Sequence, residues 1–276
     1  MNFMACGMGQ NKQYEEQSKK IQDLMKNIKY KIAVMSGKGG VGKSTVAANV
    51  AIGLSKKGYK VGLLDVDIHG PSIAGILGIR DAAIEFNEER MVPYPYSENL
   101  KVLSMQCLLN QPDDPIIWRG PAKIGVVRQF LSDSEWGELD YLIIDTPPGT
   151  GDEPLTVAQT VNGCRALLVT TPQEISLADV RKSIHFCKRV DLPILGLVEN
   201  MSGFICPTCH TLHNIFQSEG GKKTAADFDI AFLGSLPIDP NVVISGDSGQ
   251  SIAADSPVNA ALDQVLENMI TQLKSK

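Results

Sequence analysis

The chain has 276 residues, 43% of them hydrophobic and 21% charged, with a formal net charge of −5. That is enough length and apolar content for one large α/β domain or two small ones. The acidic balance, without a Lys/Arg cluster, argues against nucleic acid as the main partner, and no apolar run approaches the ~18 residues that span a bilayer.

Residues 1–12 are small and polar and read as a disordered tail. A helix is predicted from Tyr14 to Ile28, because Ile21, Leu24, Met25 and Ile28 fall on one stripe. The apolar run Ile32-Ala33-Val34-Met35 then leads into Ser36-Gly37-Lys38-Gly39-Gly40-Val41-Gly42-Lys43-Ser44-Thr45 and a helical run from Val46. Strand, glycine-rich turn and helix in this order, with Gly37…Gly42-Lys43-Ser44, match the phosphate-binding loop. Glycines let successive N–H groups turn toward an anion, and the helix N-terminus adds its positive dipole end. Lys43 is expected on the β- and γ-phosphates and the Ser44 hydroxyl on Mg²⁺.

The run Lys60–Asp65 reads as a strand buried on both faces, followed by Asp65-Val66-Asp67-Ile68-His69-Gly70-Pro71-Ser72. Pro71 is expected to open a short helix through Leu77. Residues 80–100 are rich in charge and proline and read as an irregular surface excursion. Next come a strand at Lys101–Met105, a helix carrying Ile124, Val127, Phe130 and Leu131, and a buried strand Tyr141–Asp145 broken by Thr146-Pro147-Pro148-Gly149. A strand at Ala166–Thr170, a helix at Glu174–Val190 and a strand at Pro193–Glu199 follow. Residues 201–216 interrupt the alternation with Cys206-Pro207-Thr208-Cys209. A helix at Glu219–Phe228, a strand at Ala231–Gly234 and a helix from Pro257 to about Leu273, capped by Ser256, complete the chain. Alternating strands and helices predict a doubly wound, mostly parallel sheet in one domain of α/β class. Residues 1–29 form a tail and helix, 30–276 the domain, and 201–216 an insertion.

Four groups of residues carry the chemistry. Asp145 ends a buried strand at the carboxyl edge of the sheet, where open α/β folds bind ligands, and is placed to hold Mg²⁺. Asp65 and Asp67 end the neighbouring strand on one side of the extended chain, with Asp67 favoured for orienting the attacking water. Gly149 is expected to offer its N–H to the γ-phosphate. Lys38 is a second cation in the loop, able to neutralise phosphate on its own nucleotide or on one held by a facing subunit.

The chain has six cysteines, too few for a disulfide framework, and a C-x-x-C pair outside one suggests metal or redox chemistry. Cys206 and Cys209 supply two thiolates, whereas a [4Fe–4S] cluster takes about four. Cys107, Cys164 and Cys187 sit in or beside core elements, and Cys6 lies on the tail. For an iron–sulfur centre the simplest arrangement is therefore a symmetric dimer with Cys206 and Cys209 from both chains. Zinc completed by His210 and His213, a redox disulfide and a structural pair are the alternatives. The start Met1–Cys6 lacks the basic residues and apolar core of a secretory signal, so the cytoplasm is expected.

The loop from Lys38 to Thr45 resembles the deviant phosphate loop of the MinD/ParA class of P-loop NTPases. Asp65–Ser72, Ile144–Asp152, and Glu199-Asn200-Met201-Ser202 leading into the cysteine pair narrow the match. Together these stretches resemble the Mrp/ApbC family of iron–sulfur cluster carrier ATPases over about residues 30–275. The resemblance implies ATP as nucleotide, with slow hydrolysis coupled to cluster loading or delivery. It implies a homodimer bridging a labile [4Fe–4S] cluster through Cys206 and Cys209 of each chain, with recipient apoproteins as partners, whereas the charge balance and the weakly basic end Leu273-Lys274-Ser275-Lys276 speak against nucleic acid and membrane. It places Lys38 across the dimer on the partner's nucleotide. Asn200 is implied to read adenine, with Leu236-Pro237-Ile238-Asp239 bordering the base. A MinD/ParA-type switch ATPase with a structural zinc or redox pair, and an electron-transfer ATPase like the nitrogenase iron protein, are the other readings. The first would want a basic or amphipathic tail, and the second draws its cluster cysteines from separated segments.

Overall fold

The computed structural model describes residues 4–275 apart from 69, 89, 109–119, 207, 210, 251 and 253–255, and of 4–13, 108, 120 and 121 the backbone only. In chain order the elements are α1 (Met4–Met25), β1 (Ile28–Ser36), α2 (Lys43–Lys56), β2 (Val61–Asp65), α3 (Ile73–Ile76), β3 (Glu85–Asn87), β4 (Arg90–Val92), β5 (Tyr94–Ser97) and β6 (Leu100–Ser104). A short 3₁₀ turn, Met105–Leu108, follows, then α4 (Gly120–Ser132), β7 (Leu139–Asp145), α5 (Asp152–Thr160), β8 (Cys164–Thr170), α6 (Glu174–Arg189) and β9 (Ile194–Glu199). The chain continues through β10 (Phe204–Ile205), β11 (Leu212–His213), α7 (Gly220–Asp227), β12 (Phe232–Ser235), α8 (Pro240–Ser248) and α9 (Pro257–Lys274).

Among the described residues the main sheet has eight strands in the order β12-β9-β8-β1-β7-β2-β6-β5. Every neighbouring pair is parallel except β5 with β6. The expected doubly wound, mostly parallel sheet is therefore the one observed, with a single antiparallel edge. β1 lies between β7 and β8, so the loop leaving it opens where successive connections part to opposite sides, the usual ligand crevice of such folds. Alternation along β1 feeds two cores. Ile32 and Val34 join the α2 and α9 side, and Ala33 and Met35 the opposite side, all 0–1% exposed. Each fully buried Leu or Ile in these layers contributes about 1.5–3 kcal/mol.

Several boundaries differ from expectation. The first helix runs back to Met4, so residues 4–12 are not a disordered tail, and it stops at Met25. Ile28 instead opens β1, where it pairs with Leu139 and keeps its burial while gaining a ladder position. The excursion at 80–100 is not irregular: β3 and β4 form an antiparallel hairpin, and β5 lines the sheet edge. Pro95 is tolerated there because an edge strand leaves one side unpaired. The helices α5 and α8 are additions. For α8 the signal lay in the chain, since Asp239 accepts from the Asn241 N–H at 2.8 Å with Pro240 at the first turn. The Ser256 cap on α9 is present as expected.

The helix α1 is strapped to α4 by Arg128, which is only 3% exposed. Its guanidinium donates to Gln17 Oε1 (3.0 Å), the Tyr14 carbonyl (3.1 Å) and Ser18 Oγ (2.7 Å), and stacks 3.7 Å from the Tyr14 ring centroid. No described helix is long and apolar enough to cross a membrane.

Candidate nucleotide site and cysteine hairpin

The phosphate loop leaves β1 at Ser36 and returns as α2 at Lys43. Gly40 and Gly42 adopt φ of 80° and 78°, the left-handed region closed to most side chains. Gly37 is needed for a different reason, since a Cβ there would overlap the backbone of Asp179 and Val180 in α6. The loop is braced from within by Ser36 Oγ donating to the Lys38 carbonyl at 3.0 Å, and Val41 anchors it in the core at 2% exposure. Gly39 and Gly40 are exposed, while Lys38, Ser44 and Thr45 are half-buried.

Lys43 points into the sheet edge. Its Nζ donates to Asp145 Oδ1 at 2.5 Å and to Ser44 Oγ at 3.1 Å. Asp145 is fully buried, and burial pushes its pKa up against the opposing pull of Lys43 and the Ser44 hydroxyl. Its Oδ2 is buried without a hydrogen-bond partner. An orphaned carboxylate oxygen beside a serine hydroxyl is a donor set suited to a hard divalent cation, so Ser44 and Asp145 fit Mg²⁺.

Asp65 sits level with Asp145 on the neighbouring strand. Its carboxyl is wholly buried and accepts from Ser104 Oγ (2.8 Å) and from the Asp67 and Ile73 N–H groups (3.0 and 3.4 Å). Burial, then the nearby Asp145, raises its pKa to about 7. Asp65 thus shapes the loop that follows it, and Asp67, 7% exposed, accepts from the Gly70 N–H at 3.2 Å. Gly149 differs from expectation. Its N–H donates to the Ser36 carbonyl at 2.8 Å, tying the Pro147–Gly149 turn to the phosphate loop instead of being offered outward.

Beside the loop lies a cleft of about 990 Å³, walled by Gly42, Thr45, Asn49, Asn200, Pro237 and Ile238 among others. Asn200 donates through Nδ2 to the Val41 carbonyl at 2.9 Å and through its N–H to Thr170 at 2.7 Å. Asn200 and Pro237, far apart in sequence, therefore face the same space. Sequence reasoning missed that Ile215 and Phe216, from the cysteine insertion, and Val242 and Val243 of α8 also line it.

The cysteines sit at the end of the hairpin β10–β11, paired Phe204 to His213 and Ile205 to Leu212. Cys206 is half-buried and Cys209 exposed. Cys209 Sγ lies 3.4 Å from Thr211 Oγ1. The Thr211 hydroxyl and N–H, then Cys206 and His213, draw its pKa down to about 6, which favours the ligating thiolate. Ile205, Leu212 and Ile215 expose apolar surface around the pair. Pro207 and His210 lie outside the described residues, as does the Cys6 side chain. Cys164 and Cys187 are buried with thiols pushed to about 12, inert packing as their positions predict, and burial also raises the half-buried Cys107. Among the described residues no three His, Cys, Asp or Glu side chains are gathered as a metal site within one chain.

Comparison with known proteins bears on this arrangement. A family model described as ParA: NUBPL iron-transfer P-loop NTPase matches residues 27–274. The chain is 50% identical to the cytosolic Fe-S cluster assembly factor NUBP2 homolog of Dictyostelium discoideum, over 86% of this chain and 92% of the relative. It is 42% identical to the iron-sulfur cluster carrier protein of Methanococcus maripaludis, over 100% of this chain and 98% of the other. Among solved structures, the nucleotide-binding protein of Archaeoglobus fulgidus in complex with ADP superposes with a TM-score of 0.76 at 39% identity, covering 87% and 94% of the two chains. The cell division ATPase MinD of Pyrococcus furiosus, at 23% identity and a TM-score of 0.62 over 88% and 98%, shares the fold.

Proposed function

The chain belongs to the NUBPL iron-transfer family of P-loop NTPases, and from that premise we propose that it is an ATP-dependent carrier of iron–sulfur clusters. The cluster is cargo, held by the Cys206 and Cys209 thiolates and handed on to recipient apoproteins in the cytoplasm. The observation that carries this reading is the cysteine pair, Cys206 half-buried and Cys209 exposed, at the tip of a hairpin followed directly by Ile215 and Phe216 in the wall of the nucleotide cleft. A cargo that must leave is served by having only two thiolates per chain, on a hairpin open to solvent at Cys209. A [4Fe–4S] cluster takes about four such ligands, which two copies of the hairpin supply, so the working unit is a homodimer.

In this reading residues 37–45 wrap the phosphates with their N–H groups, and Lys43 leaves Asp145 for the β- and γ-phosphate oxygens. Lys38 neutralises phosphate charge across the dimer. Asp67 orients the water that attacks the γ-phosphorus, and the products are ADP and inorganic phosphate. Ser44 and Asp145 would hold Mg²⁺, which when bound offsets the phosphate charge. Asn200 and Pro237 take the adenine. Hydrolysis is slow and coupled to loading or release of the cluster. Residues 30–276 act as the ATPase domain with the insertion at 201–216, and residues 1–29 as the N-terminal segment, of which α1 packs on α4 and Ile28 already opens β1.

The test is anaerobic reconstitution with iron and sulfide, followed by iron, sulfide and zinc analysis and the oligomeric mass. About four irons and four sulfides per two chains, lost in Cys206→Ala and Cys209→Ala, are expected. One zinc per chain with no sulfide uptake would overturn the carrier. It would favour a switch ATPase with a structural zinc, a reading that the nearness of His213 to Cys209 keeps in view.

A further inference from the structure

Both ends of the cysteine insertion return to one carboxylate. Glu199, the last residue of β9, is completely buried. Its Oε1 accepts from the Ser202 hydroxyl at 2.5 Å and from the Glu219 N–H at 3.1 Å, and its Oε2 accepts from the Gly221 N–H at 2.5 Å. Ser202 opens the insertion, while Glu219 and Gly221 close it and begin α7. Three residues at these two ends, Met201, Gln217 and Glu219, have φ of 57°, 71° and 62°. Side chains other than glycine keep that backbone only where their surroundings hold them, and the Glu199 clasp is such a restraint.

The neighbouring bonds lead to the nucleotide cleft. Asn200, next in the chain, reaches the phosphate loop at Val41 and abuts Gly42 so closely that a Cβ there would overlap its amide. The cleft wall Leu236–Ile238 is stitched to the start of the insertion. Leu236 donates to the Glu199 carbonyl at 2.8 Å, Ser202 donates to the Leu236 carbonyl at 2.9 Å, and Ile238 donates to the Gly203 carbonyl at 2.7 Å. A ligand that shifts Asn200 or Leu236–Ile238 must therefore shift residues 202–204. With Glu199 holding residues 219–221 as well, both ends of the insertion are tied to the cleft wall.

We propose that Glu199 is a positioning residue that couples occupancy of the nucleotide cleft to the presentation of Cys206 and Cys209. The inference rests on the nucleotide reading of the cleft given above, and its test does not depend on iron. Iodoacetamide alkylation of Cys209 in the full chain, resolved by mass spectrometry, is measured with and without saturating MgADP. In the wild type the two rates should differ about fivefold or more, the lower end of ordinary coupling between sites. Glu199→Gln turns an amide donor toward a backbone donor and should bring that ratio close to one while ADP, followed by calorimetry, still binds. A merely structural role would leave the ratio intact wherever the protein folds. A wild-type ratio of one, or an unchanged ratio in Glu199→Gln, would overturn the proposal. If Glu199→Gln fails to fold by far-UV circular dichroism, Ser202→Ala removes a single arm and should give an intermediate ratio, and the wild-type ratio there would overturn it equally. Failure of the wild type to take up iron and sulfide would instead sink the carrier reading, leaving the thiol ratio to judge the clasp.

Discussion

The Lys43–Asp145 pair lends itself to a double-mutant cycle. The two charges are 2.5 Å apart with side chains 6% and 0% exposed, so both have lost most of their hydration and each compensates the other. Asp145→Asn leaves the Lys43 ammonium buried without its counter-charge. Lys43→Met leaves a buried carboxylate whose Oδ2 already has no partner. Breaking a buried pair from one side costs about 3–5 kcal/mol, whereas removing both charges is close to neutral. The double variant Lys43→Met/Asp145→Asn should therefore recover most of the loss, with a coupling energy of about 3 kcal/mol or more. The Lys43→Met loss should also shrink as pH falls, because burial has raised Asp145 toward protonation and the neutral acid needs no partner. Urea unfolding of the full chain without nucleotide reads these values from the midpoint at constant slope. Additivity of the two single variants within about 0.5 kcal/mol would refute the buried-pair reasoning. All three variants should lose MgATP binding by calorimetry, so stability and binding separate in the double variant.

Three further outcomes are expected. Gly37→Ala drives a Cβ into the backbone of Asp179 and Val180. It should cost about 1–3 kcal/mol by thermal melting and weaken ATP binding, and an unchanged melting temperature and affinity would speak against the close approach of the phosphate loop to α6. Arg128→Ala removes the buried donor that holds Tyr14, Gln17 and Ser18. It should cost about 1–3 kcal/mol and speed trypsin cleavage at Lys19 or Lys20, with an unchanged digestion rate counting against the strap. Cys209 should alkylate half-maximally near pH 6, slowly below it as the thiol and rapidly above it as the thiolate. Thr211→Val should move that midpoint up toward the ordinary thiol value of about 8.5, and a wild-type midpoint already there would refute the hydrogen-bonding account.

Much of the architecture was legible because it is local. A strand buried on both faces must be apolar nearly throughout, so Lys60–Asp65 and Tyr141–Asp145 announce themselves. The phosphate loop is legible for the same reason, since the left-handed turns at Gly40 and Gly42 and the helix start at Lys43 are decided within ten residues. Elements stabilised by distant partners were harder to place. The end of α1 was missed because Ile28 suits a helix stripe as well as a strand, and only pairing with Leu139 decides between them. The strands β3 to β5 carry charge and proline that read as loop until an edge position accommodates them.

The sequence by itself determined the class of fold, the phosphate-binding loop and the candidate donors Cys206 and Cys209, because each depends on spacing along the chain. Only the tertiary structure decided which of them meet. Lys43 finds Asp145 across 102 residues and Asn200 finds Val41 across 159, contacts that no local pattern encodes. It also decided that Asp65 serves its own loop and that Gly149 gives its N–H to Ser36. Most of all, it decided that both ends of the cysteine insertion close on Glu199, since a buried carboxylate must find its hydrogen-bond donors wherever the fold brings them.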